Sequence, residues 1–583
     1  MTAPALVRSR LRSAALAALA TCSAAVALAQ DPGQSPDAKD RLKAIQTDQV
    51  RTAKDRIERP YHFGSQGRPG PFSNHTSHSN RLIPFYTFGT KLDAGSVTGA
   101  NSVYRDASRL AALYGFKPEN TVNPKAEYAD QSDFKKVMAD AVSRGVKHLF
   151  IVWFDGLDWP TTQAAAAIKT GKPYTRGKGS GLVFQDYAGA GPSGFGYYVT
   201  APTHDKNVTD VDAQTVVIPA DSFRGGYDVR FGGPDPWTPG PLLANAPGYL
   251  KGQSGDDRDK VGVLDAGGAI HAYTDSSCSA AEFVGGKKSY NNSVNVLPDG
   301  TFVDTLFHSL QADGWKLGTV TSVAFDHASP AAMYAHNVDR DDYQDLAREM
   351  LGLPSIVQTT GKSPLRPGLD VVIGTGYGQI ASVTGLPAQG KNGVPGNLYI
   401  TDVDKETIDV KHGGKYVVTE TAAGVNGAKA LAAAAARASA ESRRLFGFYG
   451  NAGYGHLPYR TADGKFDPAP DLNGKFETYT PDDLNEQPTL ADMTRAALAV
   501  LGSKPGKPFA LFVEAGDVDF ALHANNLDNA VGAVYSGEAA VKAVFEWVEA
   551  HSNWAESAVI VAADHGHYLV IDDLDALAGV KGR

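Results

Sequence analysis

The feature that most constrains this chain is a pair of short apolar runs that each end in carboxylates and imidazoles. The runs are Phe509–Val513 and Ala558–Ala562, and the polar residues that follow them are Glu514, Asp519, His523, Asp564, His565 and His567. Apolar runs of this length indicate buried strands. In open α/β sheets, ligand-binding side chains collect where strands end. The two runs therefore predict a functional site along one edge of a sheet.

The spacing inside these clusters points to metal binding. Asp519 and His523 are four residues apart, so on a helix they share one face. A carboxylate oxygen and an imidazole nitrogen on a common face suit zinc. Asp564 and His565 come just after the predicted strand Ala558–Ala562, where they can serve as a second pair of ligands. Two such clusters in one chain predict a two-metal hydrolase.

Composition and the N-terminal segment indicate an exported globular protein. The 583 residues carry a formal net charge of -9, which argues against a nucleic-acid partner. Three arginines precede the apolar run Ala14–Leu28, and small residues precede Gln30, so residues 1–29 are predicted to be a signal peptide. This predicts a periplasmic or secreted protein without a transmembrane anchor. Cys278 is then the one cysteine of the mature chain, so no internal disulfide is expected.

Strand-like runs alternate with helical patterns through most of the chain, which predicts an α/β fold. The expected architecture is a three-layer α/β/α sandwich with a mostly parallel central sheet. The predicted strands are Arg81–Gly89, His148–Phe154, Thr319–Phe325, Leu369–Ile373, Phe509–Val513 and Ala558–Ala562, and the predicted helices are Asn101–Tyr114, Phe134–Arg144, Ala331–Leu351, Leu490–Leu501 and Ser536–His551. Residues 157–270 are rich in Gly and Pro and are predicted to form loops with short strands.

Three further positions admit a functional and a structural interpretation. Asp155 ends an apolar strand and precedes a glycine, so it is either a metal ligand or part of a turn. Ser276 stands where a helix begins and is either a nucleophile or an N-cap. Ser329 is expected to cap a helix that carries Arg340, which either holds phosphate oxygens in a fork or forms an ordinary surface ion pair. Each signal is weak alone, and their joint occurrence favours a functional site.

Taken in order, these segments resemble the alkaline phosphatases over about three-quarters of the mature chain. The segments are Asp155-Gly156, Asp275-Ser276-Ser277-Cys278-Ser279-Ala280, His327-Ala328-Ser329-Pro330-Ala331-Ala332 through Arg340, Glu514 to His523, and Asp564-His565-Gly566-His567. The resemblance implies the alkaline-phosphatase fold with insertions, predicted at 157–270 and 375–440 of a catalytic domain that spans 132–583.

The resemblance also implies a role for each site residue. Two Zn²⁺ and one Mg²⁺ are implied as cofactors. Asp519 and His523 would bind the first zinc, and Asp155, Asp564 and His565 the second. Asp155, Ser329 and Glu514 would bind magnesium. Ser276 would be the nucleophile and Arg340 the phosphate ligand, with His327 beside the magnesium and His567 behind the zinc ligands.

One ligand of the family pattern is missing from its usual place. The family has a third zinc histidine downstream of the D-H-x-H motif, followed by a strand and a closing helix, but this sequence has no histidine after His567. The segment from His78 to Gly89 resembles the missing part, and Asn101–Tyr114 resembles the closing helix. The resemblance therefore predicts a circular permutation in which residues 78–116 are the displaced unit, residues 30–77 are an N-terminal extension, and His78 is the third ligand. The alternatives are a polar loop whose histidines bind nothing and a truncated chain with a crippled site.

The predicted function is hydrolysis of phosphate monoesters through a phosphoserine intermediate outside the cytoplasm. Phosphate monoesters would be the substrates, inorganic phosphate the product and inhibitor, and a homodimer is common in the family. The alternatives are a phosphodiesterase or sulfatase of the same superfamily, or a noncatalytic phosphate-binding protein that uses residues 157–270. The segment Cys278–Glu282 lacks the Pro and Arg of the sulfatase C/S-x-P-x-R motif.

Overall fold

The computed structural model describes residues 40–51, 60–63, 78–79, 81–191, 194–205, 207–238, 271–381, 387–471 and 474–579. The predicted signal peptide lies outside these ranges, and so does most of the predicted N-terminal extension. Residues 239–270 of the predicted insertion are outside them as well. In the described part of the chain, no helix is both long enough and apolar enough to cross a membrane.

The strands alternate with helices, as the sequence pattern predicts. Numbered in chain order, they are β1 (Tyr61–Phe63), β2 (Ile83–Phe88), β3 (Ala129–Asp130), β4 (His148–Phe154), β5 (Gly194–Val199), β6 (Val208–Asp210), β7 (Thr215–Val217), β8 (Lys316–Ala324), β9 (Val371–Thr375), β10 (Ile380–Ala381), β11 (Gly396–Asn397), β12 (Tyr416–Glu420), β13 (Arg444–Phe448), β14 (Phe509–Ala515), β15 (Ser557–Ala562) and β16 (Leu569–Ile571).

The helices vary from single turns to one of 25 residues. In chain order they are α1 (Arg41–Arg51), α2 (Ala107–Tyr114), α3 (Asp133–Ser143), α4 (Trp159–Thr170), α5 (Val183–Asp186), α6 (Val229–Gly232), α7 (Ser276–Gly285), α8 (Leu306–Ala312), α9 (Ala328–Ala332), α10 (Tyr343–Leu351), α11 (Ile356–Thr359), α12 (Asp402–Ile408), α13 (Gly427–Ala440), α14 (Pro481–Glu486), α15 (Leu490–Leu501), α16 (Asp517–His523), α17 (Leu527–His551) and α18 (Leu574–Ala578).

A ten-stranded mixed sheet forms the middle layer, with the strand order β12-β13-β9-β8-β14-β4-β15-β2-β5-β3. From β12 to β15 in this order, each strand is parallel to the next. Strand β2 is antiparallel to both β15 and β5. The predicted mostly parallel α/β sheet is therefore confirmed.

Helices cover both faces of this sheet, and β4 shows why. All seven residues of β4 are buried, so the strand must pack on both sides. Successive side chains of a strand point to opposite faces. Phe150 packs against Trp547 of α17, with ring centroids 5.9 Å apart, and Trp153 packs against Phe283 of α7, with centroids 4.9 Å apart. Helices α7 and α17 therefore lie on opposite faces of one three-layer sandwich.

Two predictions about local structure are wrong. Residues 157–270 are not only loops with short strands, because α4 lies there and buries most of its residues, and β5 belongs to the main sheet. Asp158 caps the start of α4 by accepting from the backbone N–H of Thr161. The alanine-rich sequence of α4 favours a helix and is largely buried. The predicted helix Asn101–Tyr114 is helical only from Ala107, after 3-10 turns at Gly99–Asn101 and Val103–Arg105.

The predicted strand Arg81–Gly89 is present as β2, inside the main sheet. It pairs with β15, the strand that leads into Asp564 and His565. Just before β2, the N–H of Ser79 donates to the carbonyl of Gly566 over 2.7 Å. These contacts hold His78 beside the motif Asp564–His567, which is nearly 500 residues away in the chain.

Candidate active site

Three adjacent strands deliver the carboxylates of the site to one edge of the sheet. Asp155 follows β4 directly, Glu514 is the last residue but one of β14, and Asp564 comes two residues after β15. Strand β4 lies between the other two and is parallel to both, so their carboxyl ends meet. The three acidic residues are buried, with 1%, 0% and 0% of their surface exposed. The edge predicted from the two apolar runs therefore exists.

Ser276 is the first residue of the ten-residue helix α7. Asp275 caps this helix by accepting from the N–H of Cys278 over 3.0 Å. The Ser276 hydroxyl Oγ lies 3.2 Å from His565 Nε2 and 3.5 Å from Asp155 Oδ1. Of the two interpretations of Ser276, the N-cap is excluded because Asp275 fills that position. The hydroxyl instead faces the buried carboxylates.

One group of candidate ligands surrounds Asp519. Asp519 and His523 share a face of α16, as predicted, with Nε2 of His523 3.3 Å from Asp519 Oδ1. His567 Nε2 is 2.8 Å from the same oxygen, and His78 Nε2 is 3.9 Å from it. Burial opposes ionisation of Asp519, but the charges and hydrogen bonds of His523 and His567 hold its pKa well below the ordinary value. This carboxyl is therefore an anion facing three imidazoles.

The tautomer of His78 follows from its surroundings. Its Nδ1 lies 2.7 Å from the carbonyl oxygen of Thr274, which can only accept, so Nδ1 carries the hydrogen. Burial first, and then the neighbouring His565 and His523, lower the pKa of His78 well below its ordinary value. The ring stacks on His565 with centroids 3.6 Å apart. The Nε2 lone pair of a neutral His78 is thus directed into the group around Asp519.

A second group consists of Asp155, Asp564 and His565. One ligand atom of each lies within 4.8 Å of the others. Burial and the charge of Asp564 raise the pKa of Asp155 well above its ordinary value, and burial raises the pKa of Asp564 to about 6. Among the residues that the structure describes, Asp564 Oδ2 accepts no hydrogen bond, and His565 Nε2 lies 3.1 Å from it. Crowded buried carboxylates of this kind are expected where a cation supplies the missing charge.

Glu514 and Ser329 stand behind the second group. Thr321 of β8 is paired in register with Glu514 and donates its hydroxyl to Oε2. Burial raises the pKa of Glu514 to about 8, while Thr321 and Ser329 both lower it. Ser329 is not the N-cap that was predicted: His327 holds that position, and Ser329 lies inside the short helix α9. The ring of His327 packs edge-on against Phe520, with centroids 5.6 Å apart.

Arg340 lies in a turn between α9 and α10 and not on a helix, so the predicted helix Ala331–Leu351 is wrong in this region. The helix is interrupted because Asn337 pairs with Val294 through the backbone and the N–H of Arg340 donates to the carbonyl of Asn292. The guanidinium Nη1 donates to Asp275 Oδ2 over 3.0 Å. The same carboxylate that caps the Ser276 helix thus holds Arg340.

Gly156 is needed for its backbone conformation. It has φ +77°, and a Cβ at this position would meet His567 Nε2 at 2.7 Å and the Cα of Asp519 at 3.3 Å. Only glycine lets the turn after Asp155 pass this close to both groups. The Asp-Gly pair is therefore both a turn and part of the site.

Sequence reasoning missed the residues that orient the site. Thr321 was not singled out, and neither Asp275 nor the carbonyl of Thr274 was assigned a partner. Thr274 and Asp275 directly precede Ser276, and they hold His78 and Arg340 respectively. Their position directly before the predicted nucleophile is the sequence signal that could have identified them. Nothing in a linear sequence identifies Thr321, because its pairing with Glu514 depends on strand register.

Known proteins are similar to this chain over part of its length. The family model described as alkaline phosphatase matches residues 256–576. The chain is 27% identical to alkaline phosphatase of Escherichia coli (strain K12) over 302 residues, covering 50% of this chain and 58% of that protein. It is 25% identical to alkaline phosphatase 4 of Bacillus subtilis (strain 168) over 294 residues, covering 50% and 49%. The chain thus spans about half the length of these two relatives.

A third relative is streptomycin-6-phosphate phosphatase of Streptomyces griseus, which is 27% identical over 361 residues, covering 57% of this chain and 72% of that protein. Among solved structures, alkaline phosphatase of Thermus thermophilus aligns with 19% identity and a TM-score of 0.39, covering 73% of this chain and 60% of that chain. His78 and Asp155 lie outside the family match, whereas the other predicted site residues lie inside it. The family model matches more than half of the residues of this chain, and the chain therefore belongs to the alkaline phosphatase family.

Proposed function

We propose that this chain hydrolyses phosphate monoesters through a phosphoserine intermediate on Ser276. The observation that carries the proposal is the position of the Ser276 hydroxyl, which starts a helix and lies within 3.5 Å of both His565 and Asp155. A helix N-terminus favours a bound phosphate and an ionised hydroxyl. A nucleophile within reach of candidate metal ligands is the arrangement that phosphoryl transfer requires.

The donor groups fit the metals that the family implies. Asp519, His523 and His78 would hold one zinc, and Asp155, Asp564 and His565 would hold the other. Asp155, Ser329 and Glu514 would hold magnesium. The fit rests on crowded buried carboxylates and on the buried Glu514 Oε1, which has no hydrogen-bond partner within the described ranges. Bound there, the metals would act as Lewis acids that stabilise the attacking and leaving oxygens.

The chain's own residues account for positioning and charge. Ser276 Oγ forms a bond to phosphorus while the ester oxygen leaves with the electron pair. Water then attacks the phosphoserine, which releases inorganic phosphate and the free serine. The Ser276 hydroxyl faces His565 Nε2 and Asp155 Oδ1, two of the groups that would hold a cation beside it and so favour loss of its proton to solvent. Arg340, held by Asp275, presents its remaining N–H groups to the equatorial phosphate oxygens. His567 holds Asp519 in place through the 2.8 Å contact.

The circular permutation stays a prediction, and two contacts support it. His78 Nε2 lies 3.2 Å from His523 Nε2, and β2 pairs with β15 in the main sheet. These contacts support the proposal that His78 is the third zinc ligand and that β2 is the strand that follows it. Export to the periplasm or the medium is supported by the sequence of residues 1–29.

The test compares three esters in the zinc- and magnesium-loaded enzyme. We expect turnover of p-nitrophenyl phosphate, with far slower turnover of the bis(p-nitrophenyl) ester and of p-nitrophenyl sulfate. Ser276→Ala should lose about three or more orders of magnitude in kcat while it keeps its zinc, because the covalent step disappears. Ser289→Ala is the matched control, since that buried hydroxyl donates to the backbone carbonyl of Val296. Faster turnover of the diester or the sulfate, or a fully active Ser276→Ala variant, would contradict the proposal.

A further inference from the structure

A second set of carboxylates lies outside the catalytic centre, where the N-terminal helix α1 meets the loop 461–471. Asp40, just before α1, and Asp463 and Asp467 of the loop each place one oxygen within 4.8 Å of the others. The start of α17 lies beneath them, with Asp528 Oδ1 accepting from the N–H of Ala462 over 3.2 Å. Four acidic residues from three distant parts of the chain thus converge.

Two of these carboxylates are buried and incompletely satisfied. Asp40 and Asp528 expose 2% and 0% of their surface. Asp40 Oδ1 accepts from the N–H of Lys43, but Asp40 Oδ2 and Asp528 Oδ2 have no hydrogen-bond partner in the described part of the chain. Leaving a buried carboxylate oxygen without a partner costs free energy, so such atoms point to a ligand.

The local charge is unbalanced as well. Burial raises the pKa of Asp528 to about 8, with Asp40 adding to the effect. Burial also raises the pKa of Asp40, and the charges of Asp463 and Asp467 add to this effect, while the backbone hydrogen bond from Lys43 and the Lys43 charge oppose it. The Lys43 ammonium bonds to Asp467 Oδ2 over 3.0 Å at the partly exposed rim of the cluster. A second ammonium, that of Lys465, lies 2.8 Å from Asp463 Oδ2. Both lysines therefore pair with the loop carboxylates, and neither is bonded to Asp40 Oδ2 or Asp528 Oδ2.

The donor set consists of oxygen alone. Beside the carboxylates, Thr461 Oγ1 lies 2.8 Å from Asp463 Oδ1, and the Lys465 carbonyl accepts from the Thr461 N–H over 3.0 Å. No histidine or cysteine belongs to this group. Oxygen donors suit Ca²⁺, which accepts about six to eight of them, better than zinc.

We propose that Asp40, Asp463 and Asp467, with Asp528 behind them, form a calcium site that anchors α1 to the rest of the protein. Helix α1 already contacts this region through Gln46, whose Nε2 donates to the carbonyl of Asn525 over 3.1 Å. Asn525 follows α16, which carries Asp519 and His523. A calcium ion here would tie α1 to the segment that leads from the zinc ligands into α17.

The test measures calcium binding by the full-length enzyme in calcium-free buffer with saturating zinc and magnesium. Adding CaCl₂ should raise Tm by a few degrees and slow tryptic cleavage within α1. Terbium should bind at the same site and be displaced by calcium. In the double variant Asp463→Asn/Asp467→Asn, calcium affinity should fall at least about tenfold, because the ligand charge is reduced. The control is Asp402→Asn, whose side chain is 93% exposed.

A second variant tests the contribution of Lys43 to the charge balance of the cluster. If calcium binds, Lys43→Met should gain more Tm from calcium than the unmodified enzyme, because one of the two competing ammonium groups is gone. The proposal is overturned if millimolar calcium changes neither Tm nor the cleavage rate. It is also overturned if the double variant responds to calcium as the Asp402→Asn control does, or if magnesium alone gives the full effect.

Discussion

The Nε2 atoms of His78 and His523 lie 3.2 Å apart, although 445 residues separate the two histidines. Nδ1 of His78 is committed to the Thr274 carbonyl, and its depressed pKa, caused first by burial, keeps the ring neutral. Its lone pair therefore points at His523 and Asp519 with no proton to share. An acceptor nitrogen directed at a buried carboxylate and a second imidazole suits a bound cation, and it makes the N-terminal segment part of the candidate metal centre.

His78→Ala should remove zinc from one site while the fold is retained. We expect the variant to bind about one zinc ion fewer per chain and to need higher zinc for half-maximal activity, since a site with two protein ligands holds zinc weakly. Zinc content after dialysis measures this. His75→Ala is the control, at a histidine outside the described residues, and it should keep full zinc content. A His78→Ala variant with normal zinc and normal rate would show that this histidine is not a ligand.

Arg340→Ala should weaken phosphate binding more than it changes metal content. Removing the charged fork should raise the inhibition constant for inorganic phosphate about 10- to 100-fold. Arg340→Lys should recover part of the loss, because lysine keeps the charge but not the paired donors. Competitive inhibition by phosphate measures both variants. Unchanged inhibition in Arg340→Ala would place the phosphate elsewhere.

Glu514→Gln should reduce the response to magnesium and leave zinc bound. The carboxylate is buried beside Thr321, and the neutral amide keeps the shape while losing the charge that a Mg²⁺ ion requires. We expect the magnesium concentration for half-maximal activity to rise about tenfold. Titration of the zinc-loaded enzyme with magnesium checks this, and an unchanged titration curve would remove Glu514 from the magnesium site.

His148 should make the fold acid-sensitive independently of the metals. Burial among Phe509 and Trp547 lowers its pKa to about 4, although nearby Glu556 acts in the opposite direction. In the unfolded chain His148 takes up a proton near pH 6.5, whereas in the folded chain it does so only near pH 4. The free energy of unfolding therefore falls as the pH drops from about 6.5 to 4.

His148→Gln should remove this part of the pH dependence. The free energy of unfolding of the variant minus that of the unmodified enzyme should be larger at pH 5 than at pH 7.5. The expected increase is on the order of 1–2 kcal/mol after allowance for solvent screening. Urea unfolding of both proteins at the two pH values measures this increase. Loss of zinc at low pH affects both proteins alike, so it cancels when their free energies are subtracted. An equal pH dependence in both proteins would contradict the assignment.

The strands and the ligand motifs were predictable because their signals are local. Strand β4 has the bounds that its apolar run predicted, and so does helix α15. The spacing of Asp519 and His523 placed them on one helix face, where the structure has them. Local periodicity also misled at Arg340, where a helical pattern continued through a turn that contacts with Asn292 and Val294 impose. Propensity gives way when tertiary contacts offer the backbone other partners.

What the sequence by itself determined was the set of chemical groups: two acidic, imidazole-bearing strand ends, a serine at a helix start, and the family to which they belong. What only the tertiary structure decided was which groups meet. The pairing of β2 with β15 places His78 against His523, and the register of β8 on β14 places Thr321 against Glu514. Asp40 likewise joins Asp463 only when α1 packs on the loop 461–471. The chemical groups follow from the residue at each position. The contacts between them depend on sheet order and helix packing, which are properties of the whole folded chain.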